Sequence, residues 1–161
     1  VGADGLPNVL STLSRIFDFV LIDGLRDFGD HALVTMDEAD QIVLVANDDV
    51  PSLRCGIRAV ELFRRLGYPP ERIKLLLNKN NDRDPSFLQA VETAYGRRID
   101  WSVPEIPSLD QCVNDGLLLS TVEPKSSGNL IFENLARSLA GLPTVTPPKR
   151  SLFGRLFSRG S

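Results

Sequence analysis

The sequence has few of the residues that metal or redox chemistry requires. Its 161 residues include two cysteines and a single histidine. Cys55 and Cys112 lack the paired spacing of a zinc site or of a disulfide framework, which fits a reducing cytoplasm. We predict that both thiols are small buried hydrophobic groups on helix faces. His31 has no serine or cysteine partner at a recognisable catalytic turn, so we predict a surface or capping role for it.

The sequence also lacks a basic excess and long apolar runs. A net charge of −3 argues against nucleic acid as the main partner of the whole surface. The sequence contains no run of 18 apolar residues, the length that is needed to span a membrane, and its first residues do not have the pattern of a signal peptide. The last 13 residues carry four cations and no acid, which leaves 14 cations against 21 acids before them. Since the chain begins with Val1 rather than Met, we expect it to be part of a longer protein.

Short apolar segments alternate with helical patterns along most of the chain. Segments without polar alternation are typical of parallel strands that are covered on both faces. Four such strands are predicted, at Phe19–Ile22, Ile42–Ala46, Ile73–Leu77 and, more weakly, Ile99–Val103. The order of strands and helices predicts an α/β fold, with a doubly wound, mainly parallel sheet and helices on both faces.

Polar residues mark several helix boundaries and the end of the domain. Ser52 is in position to cap the helix after the second strand, and Ser108 with Gln111 has the spacing of a capping box. We predict one domain over residues 1–142. Residues 143–161 form a Pro-rich linker and a basic amphipathic tail.

The first predicted strand ends at an acid, Asp23. In open parallel sheets, ligands bind beyond the carboxyl ends of the strands. A hydrophobic strand followed by Asp is the Walker B pattern, in which the carboxylate holds Mg²⁺ through water. Two alternatives are open: Asp often ends buried strands because it accepts turn hydrogen bonds, and the stretch also has the pattern of a receiver-type phosphoacceptor strand. A receiver domain needs an acidic pair farther upstream and a Lys-Pro where this chain has Lys79-Asn80.

Later segments carry a family resemblance. Asn78 follows the third strand, the turn Pro104-Glu105-Ile106 follows the fourth, and Asn114-Asp115-Gly116 ends the next helix. In this order they resemble the ParA/MinD group of P-loop ATPases. Within that group, SLRCGIRAVELFRRLGYPPERIKLLLNKNNDRD is similar to a stretch of the CpaE/TadZ pilus-assembly proteins. The resemblance covers about residues 9–142.

The resemblance implies a function. The longer protein would bind ATP and Mg²⁺, with Asp23 as the catalytic and magnesium-orienting residue acting through water, and with Asn78, Pro104, Glu105 and Ile106 around adenine. It would form a homodimer and help to assemble or place a Tad/Flp type IV pilus secretion system together with other assembly proteins. The Walker A loop is absent, so this chain alone should not hydrolyse ATP. The alternative is a degenerate localisation scaffold that binds no nucleotide.

The basic tail has a helical amphipathic pattern. Its apolar residues recur at spacings of one and four residues, and they are Leu152, Phe153, Leu156 and Phe157. The cations Arg150, Arg155 and Arg159 lie at other positions. Such a helix can lie on an anionic membrane. A disordered tail and a helix that docks on a protein partner are the alternatives. We therefore expect a cytoplasmic protein that can be peripheral at the inner face of the plasma membrane or at a cell pole.

Overall fold

A computed structural model describes residues 5–25, 28–80 and 85–146. The described residues form seven α-helices, three strands and a short 3₁₀ turn. In chain order the elements are α1 Leu6–Ile16, α2 Asp30–Glu38, β1 Ile42–Asn47, α3 Val50–Arg65, the 3₁₀ turn Pro70–Arg72, β2 Ile73–Asn78, α4 Pro85–Tyr95, β3 Trp101–Val103, α5 Pro107–Asn114, α6 Leu119–Val122 and α7 Ser127–Leu139.

The three strands form one parallel sheet in the order β1-β2-β3. The β1–β2 register runs from Ile42 opposite Ile73 to Asn47 opposite Asn78, and Asn78 in turn lies opposite Val103. Because parallel neighbours cannot be joined by a tight turn, α3 and α4 are the crossover helices. Helices lie on both faces of the sheet. The predicted α/β class, parallel sheet and two-sided helical cover are confirmed.

The main core lies between one face of the sheet and the helices before and after β1. Alternate residues of β2, Ile73 and Leu75, point into it and are almost fully buried. Phe63 of α3 and Met36 of α2 pack in the same cluster. This alternation follows from the two-residue period of a strand. Leu76 on the opposite face is also buried, so β2 is covered on both sides, as the apolar run IKLLLN predicts.

Hydrogen bonds from side chains fix the start of α3. The Asp49 carboxylate accepts from the Ser52 backbone N–H at 2.8 Å, so Asp49, not Ser52, is the cap. The Ser52 hydroxyl instead accepts from the Asn47 backbone N–H at 2.8 Å. The Ser52 prediction was wrong because the cap depends on which side chain precedes the first helical turn.

The predicted capping box at Ser108 was also wrong. Helix α5 begins two residues earlier than a Ser108 cap would place it: Ile106 is the cap, and Pro107, whose fixed φ suits the position, is the first helical residue. The Ser108 hydroxyl donates to the Glu123 carboxylate at 3.0 Å, and so connects α5 to the loop before α7. Ser126 caps α7 and accepts from the Asn129 N–H at 3.1 Å.

The first predicted strand is absent from the sheet. Residues 17–25 belong to no helix or strand, and no described strand pairs with them. Phe19 and Leu21 are exposed instead of buried. The prediction failed because an apolar run becomes a strand only where another backbone supplies hydrogen-bond partners. Two helices, α2 and the short α6, were not predicted.

The end of the predicted domain is tied to the last helix. Asn134 of α7 accepts from the Val145 N–H at 2.7 Å and donates to the Val145 carbonyl at 3.0 Å. Residues 143–146 therefore run back along α7 without regular secondary structure. The rest of the predicted linker and tail, residues 147–161, lies outside the described residues, and the two-part division stays a prediction.

A cluster around Tyr68 connects α2 to the start of β2. The Tyr68 hydroxyl donates to the Asp37 carboxylate at 2.7 Å, and the Arg72 guanidinium lies 5.6 Å from the Tyr68 ring centroid. Arg72 also donates to the carbonyls of Met36, at 2.7 Å, and of Ala39 at the end of α2. Burial, and then the bond to Asp37, raise the pKa of Tyr68 from 10.0 to about 12.

The raised pKa of Tyr68 predicts a loss of stability at high pH. Between pH 10.0 and about 12 the folded chain keeps the phenol proton while the unfolded chain releases it. Unfolding is thus favoured as the pH rises through that window. We expect the free energy of unfolding, measured by urea titration, to fall there. Tyr68→Phe should reduce the slope without abolishing it, since burial also raises the pKa of Tyr95. An unchanged slope would contradict this account.

Close packing between α3 and α4 predicts a second stability effect. A Cβ added to Gly56 would collide with the Tyr95 hydroxyl and lie 2.9 Å from Cζ of that ring. Gly56→Ala should therefore lower the free energy of unfolding by about 1–3 kcal/mol, although alanine normally favours a helix over glycine.

Tyr95→Phe is the matched control for this effect. The Tyr95 hydroxyl is buried without a hydrogen-bond partner among the described residues, so removing it should cost little. The double variant should lose less stability than Gly56→Ala alone in urea unfolding. Equal losses would show that the steric explanation is wrong.

Candidate functional site

The carboxyl edge of the sheet brings together polar side chains from neighbouring strands. Asn47 ends β1 and Asn78 ends β2, directly opposite each other in the register. The Asn78 side-chain N–H donates to the Asn47 side-chain oxygen at 3.1 Å. This bond uses one of the two Asn78 amide hydrogens, so its other hydrogen and its oxygen can still bond a ligand. A planar donor–acceptor pair at a sheet edge suits a purine base.

Main-chain hydrogen bonds join the loops that follow the strands. The Asp48 N–H donates to the Asn78 carbonyl, and the Asn80 N–H donates to the Val103 carbonyl, each at 3.0 Å. Lys79 between them has φ 57, a left-handed conformation that side chains rarely adopt. It bends the chain at the end of β2. The edge is therefore built from several loops with fixed relative positions.

Two residues of this edge were missed from the sequence. Asn47 follows the predicted second strand, as Asn78 follows the third, so the same strand-end signal was present. Asn80 donates from its side chain to the Ser102 hydroxyl at 2.7 Å, a contact that depends on β2 pairing with β3. No local sequence pattern indicates that bond.

The predicted base-lining turn follows β3 at the same edge. Pro104 and Ile106 are half-buried, and Glu105 is exposed. A Cβ on Gly128 would lie 2.9 Å from Cδ1 of Ile106, so Ile106 packs closely on the first turn of α7. The sheet thus brings this turn and Asn78 to one edge.

The structure does not bring Asp23 into this group by strand pairing. Its carboxylate is exposed and accepts from the N–H of the next residue, Gly24, at 2.7 Å. Gly24 has φ 90, which marks a tight turn directly after the acid. Among the described residues no hydrogen bond links Asp23 to the asparagines of the edge. The catalytic and magnesium roles of Asp23 remain predictions.

The Asp23 carboxylate can take part in a Mg²⁺ site only if other groups supply the remaining ligands. A single exposed carboxylate can accept from a magnesium-bound water, which is the role predicted for it. Within the described ranges, no group of three or more His, Cys, Asp or Glu residues could hold a metal ion unaided. Nucleotide phosphates would have to supply the other oxygen ligands.

The remaining sequence-predicted residues lie outside this edge. His31 is exposed in the first turn of α2, as predicted. Cys112 is buried as expected, but the prediction for Cys55 was wrong: its thiol is exposed because it lies on the solvent side of α3. The tail residues predicted to contact a membrane, Leu152, Phe153, Arg155, Leu156 and Phe157, lie outside the described residues. None of the described helices has both the length and the hydropathy to cross a membrane.

A cavity of about 850 Å³ lies away from the asparagine edge. Its lining joins residues 17–22 to Val43 near the start of β1, and it includes Ala136 of α7 and Ala140 directly after that helix. The lining is mainly apolar, and it contains neither Asn47 nor Asn78. We do not assign the nucleotide function to this cavity.

One curated protein resembles the chain in sequence. An uncharacterised ATP-binding protein of Methanocaldococcus jannaschii is 23% identical over 137 residues. The match covers 84% of this chain and 51% of that protein, so the chain spans about half the length of the curated relative it matches. No protein-family model matches the chain.

Solved structures with a similar fold are ParA and MinD proteins. A ParA family ATPase from Chlorobium tepidum superposes with a TM-score of 0.75 at 19% identity, over 84% of this chain and 57% of that one. MinD of Pyrococcus horikoshii, solved with Mg-ADP, gives 0.67 at 23% identity, over 85% and 56%. Aquifex aeolicus MinD, in its complex with MinC, gives 0.70 at 18% identity, over 93% and 63%. The chain therefore has the fold of the ParA/MinD ATPases.

Proposed function

Given the ParA/MinD fold of this chain, we propose that it is the C-terminal part of an ATP-binding protein. The observation that carries the proposal is the hydrogen-bonded pair of Asn47 and Asn78 at the carboxyl edge of a parallel sheet. Ligands of open α/β sheets bind beyond this edge. The Mg-ADP bound to the P. horikoshii MinD and the ATP-binding relative of M. jannaschii support the choice of nucleotide.

The adenine contact is proposed for Asn78 and the turn after β3. The Asn78 side-chain oxygen would accept from the N6 amino group of adenine, and its remaining N–H would donate to N7. Pro104 and Ile106 would contact the base through apolar atoms, with Glu105 at the solvent side. Asn47 holds the Asn78 side chain in position through their 3.1 Å bond.

Phosphate binding is assigned to polypeptide outside this chain. The sequence contains no G-K-G-G-x-G-K-[ST] loop, whose backbone N–H groups would bind the phosphates. When magnesium is bound, it would screen the phosphate charge. Asp23 would hold one of its waters. Residues 1–161 alone should therefore hydrolyse no ATP.

The biological role we propose is that of a CpaE/TadZ-like factor. It rests on the resemblance of residues 52–84 to those pilus-assembly proteins. The protein would act as a cytoplasmic homodimer that places or assembles a Tad/Flp pilus secretion system with other assembly proteins. MinD of A. aeolicus, which forms a complex with MinC, is an example of a partner-binding protein with this fold.

A nucleotide-independent localisation scaffold is the second candidate. It is favoured by the residues after Asp23: CpaE-like proteins commonly have Asp-Leu-Pro, but this chain has Asp23-Gly24-Leu25. Without the proline, the loop lacks a rigid element that could respond to the γ-phosphate.

The first test measures ATP affinity of a protein that contains these residues together with a phosphate-binding half. Asn78→Ala should weaken ATP binding about thirtyfold, because a buried base would lose two hydrogen bonds of about 1 kcal/mol each. Isothermal titration calorimetry gives the affinity. GTP is the comparison nucleotide, because guanine has a hydrogen-bond acceptor, O6, where adenine has the N6 amino donor.

Asn80→Ala is the control variant for that test. Asn80 lies in the same loop, but its side chain donates to Ser102. Asn80→Ala should change ATP affinity by less than about threefold. Equal losses in the two variants would point to collapse of the loop instead of a lost base contact. A parent protein with no ATP affinity would favour the scaffold.

The membrane prediction is tested on the tail. Residues 149–161 carry four cations, each worth about 1 kcal/mol near an anionic surface. The full chain should float with anionic liposomes, and a chain ending at residue 148 should not. Neutral liposomes are the control. Equal flotation with and without the tail would remove this role.

A further inference from the structure

The end of α5 and the short helix α6 carry a group of exposed apolar side chains. Val113 and Leu118 are each 70% exposed, and Leu117 and Val122 are about half exposed. Leu118 and Val122 lie one helical turn apart, because the Val122 N–H donates to the Leu118 carbonyl at 3.1 Å. Together Val113, Leu117, Leu118 and Val122 form the α5–α6 patch, and exposed apolar surface of this kind marks an interaction site.

The α5–α6 patch lies at the other end of the described sheet from residues 17–22. Strand β3, which precedes α5, is separated from β1 by β2 in the sheet order. None of the four patch residues belongs to the described lining of the 850 Å³ cavity. The patch is therefore a separate feature from the side of β1 that no described strand pairs with.

The surface around the patch is acidic. Residues 104–126 contain four acids and a single cation, Lys125. Asp110 lies one turn before Val113 on α5, Asp115 directly follows that helix, and both acids are exposed. An anionic lipid surface, or the same acidic patch of a second copy, would be repelled, because like charges across an interface are costly. A segment that covers this patch should therefore be both apolar and basic.

The basic tail of the same chain has this composition. Residues 149–161 carry four cations and no acid. They also contain two leucines and two phenylalanines, Leu152, Phe153, Leu156 and Phe157. Apolar side chains beside cations complement an apolar patch beside acids.

The described end of the chain runs toward the patch. The Leu142 N–H donates to the Arg137 carbonyl at 2.8 Å, and three residues later Val145 is bonded twice to Asn134. Residues 142–146 therefore run back along α7 in the direction of its first turn. That turn lies next to α6, because the Ser126 cap of α7 donates its N–H to the Glu123 carbonyl directly after α6, at 3.0 Å.

The remaining distance is short enough for the tail to reach the patch. From Asn134 to the start of α7 the helix is about 10 Å long, at about 1.5 Å per residue. Four residues of extended chain beyond Val145 reach about 13 Å, at about 3.3 Å per residue. The tail would therefore begin beside the start of α7, next to α6.

We propose that residues 150–159 dock on the α5–α6 patch of the same chain. The leucines and phenylalanines of the tail would cover the patch, and its arginines would lie near Asp110 and Asp115. The same four apolar side chains would enter a membrane, so docking and membrane binding exclude each other. The contact is thus self-inhibitory, and it goes beyond the nucleotide and assembly roles proposed above.

Limited proteolysis of the full chain by chymotrypsin tests this contact. Chymotrypsin accepts large apolar side chains in its specificity pocket, so cleavage after Phe153 and Phe157 reports on side chains that docking would cover. A synthetic peptide of residues 149–161 gives the cleavage rate of the free tail. Mass spectrometry should show cleavage at these two positions at least about tenfold slower in the full chain than in the peptide.

Leu118→Lys is the variant that should release the tail. It removes an apolar contact and places a cation opposite a cationic segment, so cleavage after Phe153 should accelerate at least about fivefold. Leu66→Lys is the matched control, because Leu66 is also exposed but lies at the end of α3, which leads back to the amino end of β2. Its cleavage rate in the tail should equal that of the unchanged chain. Urea unfolding checks that both variants keep the fold.

The contribution of charge is measured with a second variant. Replacing Asp110 and Asp115 together by asparagine keeps the shape of the surface and removes two acids. Exposed ion pairs are weak, so tail cleavage should accelerate by about twofold to threefold. An unchanged rate would overturn the assignment of these acids to the tail arginines.

Two further outcomes would contradict docking itself, namely a tail cleaved as fast in the full chain as in the peptide, and equal acceleration by Leu66→Lys. Protection that grows with protein concentration would overturn docking within one chain and place the tail on a second copy. Neither nucleotide nor lipid is present in this experiment. Failure of the ATP or membrane predictions is therefore a separate result.

Discussion

Parallel pairing between β1 and β2 is the interaction on which the rest of the structure depends. It aligns the two strands along their whole length, from Ile42 opposite Ile73 to Asn47 opposite Asn78. The buried face of β2 then supports the core that holds Phe63. Because both strands run in the same direction, their polar end residues meet at one edge. The candidate site is a consequence of this register.

Hydrogen bonds and packing contacts in the loops continue this alignment beyond the ends of the strands. Strand β3 is short, but the bonds from Asn80 to Val103 and to Ser102 continue its attachment to β2 past the last ladder pair. Ile106 then packs against Gly128, which positions the turn after β3 relative to α7. These contacts fix the relative positions of the loops at the edge, as in a largely preformed binding surface.

The edge of β1 that faces away from β2 differs from the polar edge that holds the two asparagines. There no described strand pairs with the backbone of β1, Val45 is exposed, and a cavity lies between the apolar residues 17–22 and the sheet. The same sheet therefore has an ordered polar edge and an exposed apolar side. This difference explains why Asp23, which follows the unpaired segment, is not fixed relative to Asn78 by any described hydrogen bond.

The sequence by itself determined the strands β1 and β2, the α/β class and the placement of Asn78 and Pro104 after strand ends. These follow from local patterns: the length of apolar runs, their bounding residues and the helical stripes between them. Only the tertiary structure decided that Asn47 bonds to Asn78, that Ser108 bonds to Glu123, and that residues 17–22 pair with no described strand. Each of these depends on a partner distant in the chain, and a backbone segment becomes a strand only when that partner is present.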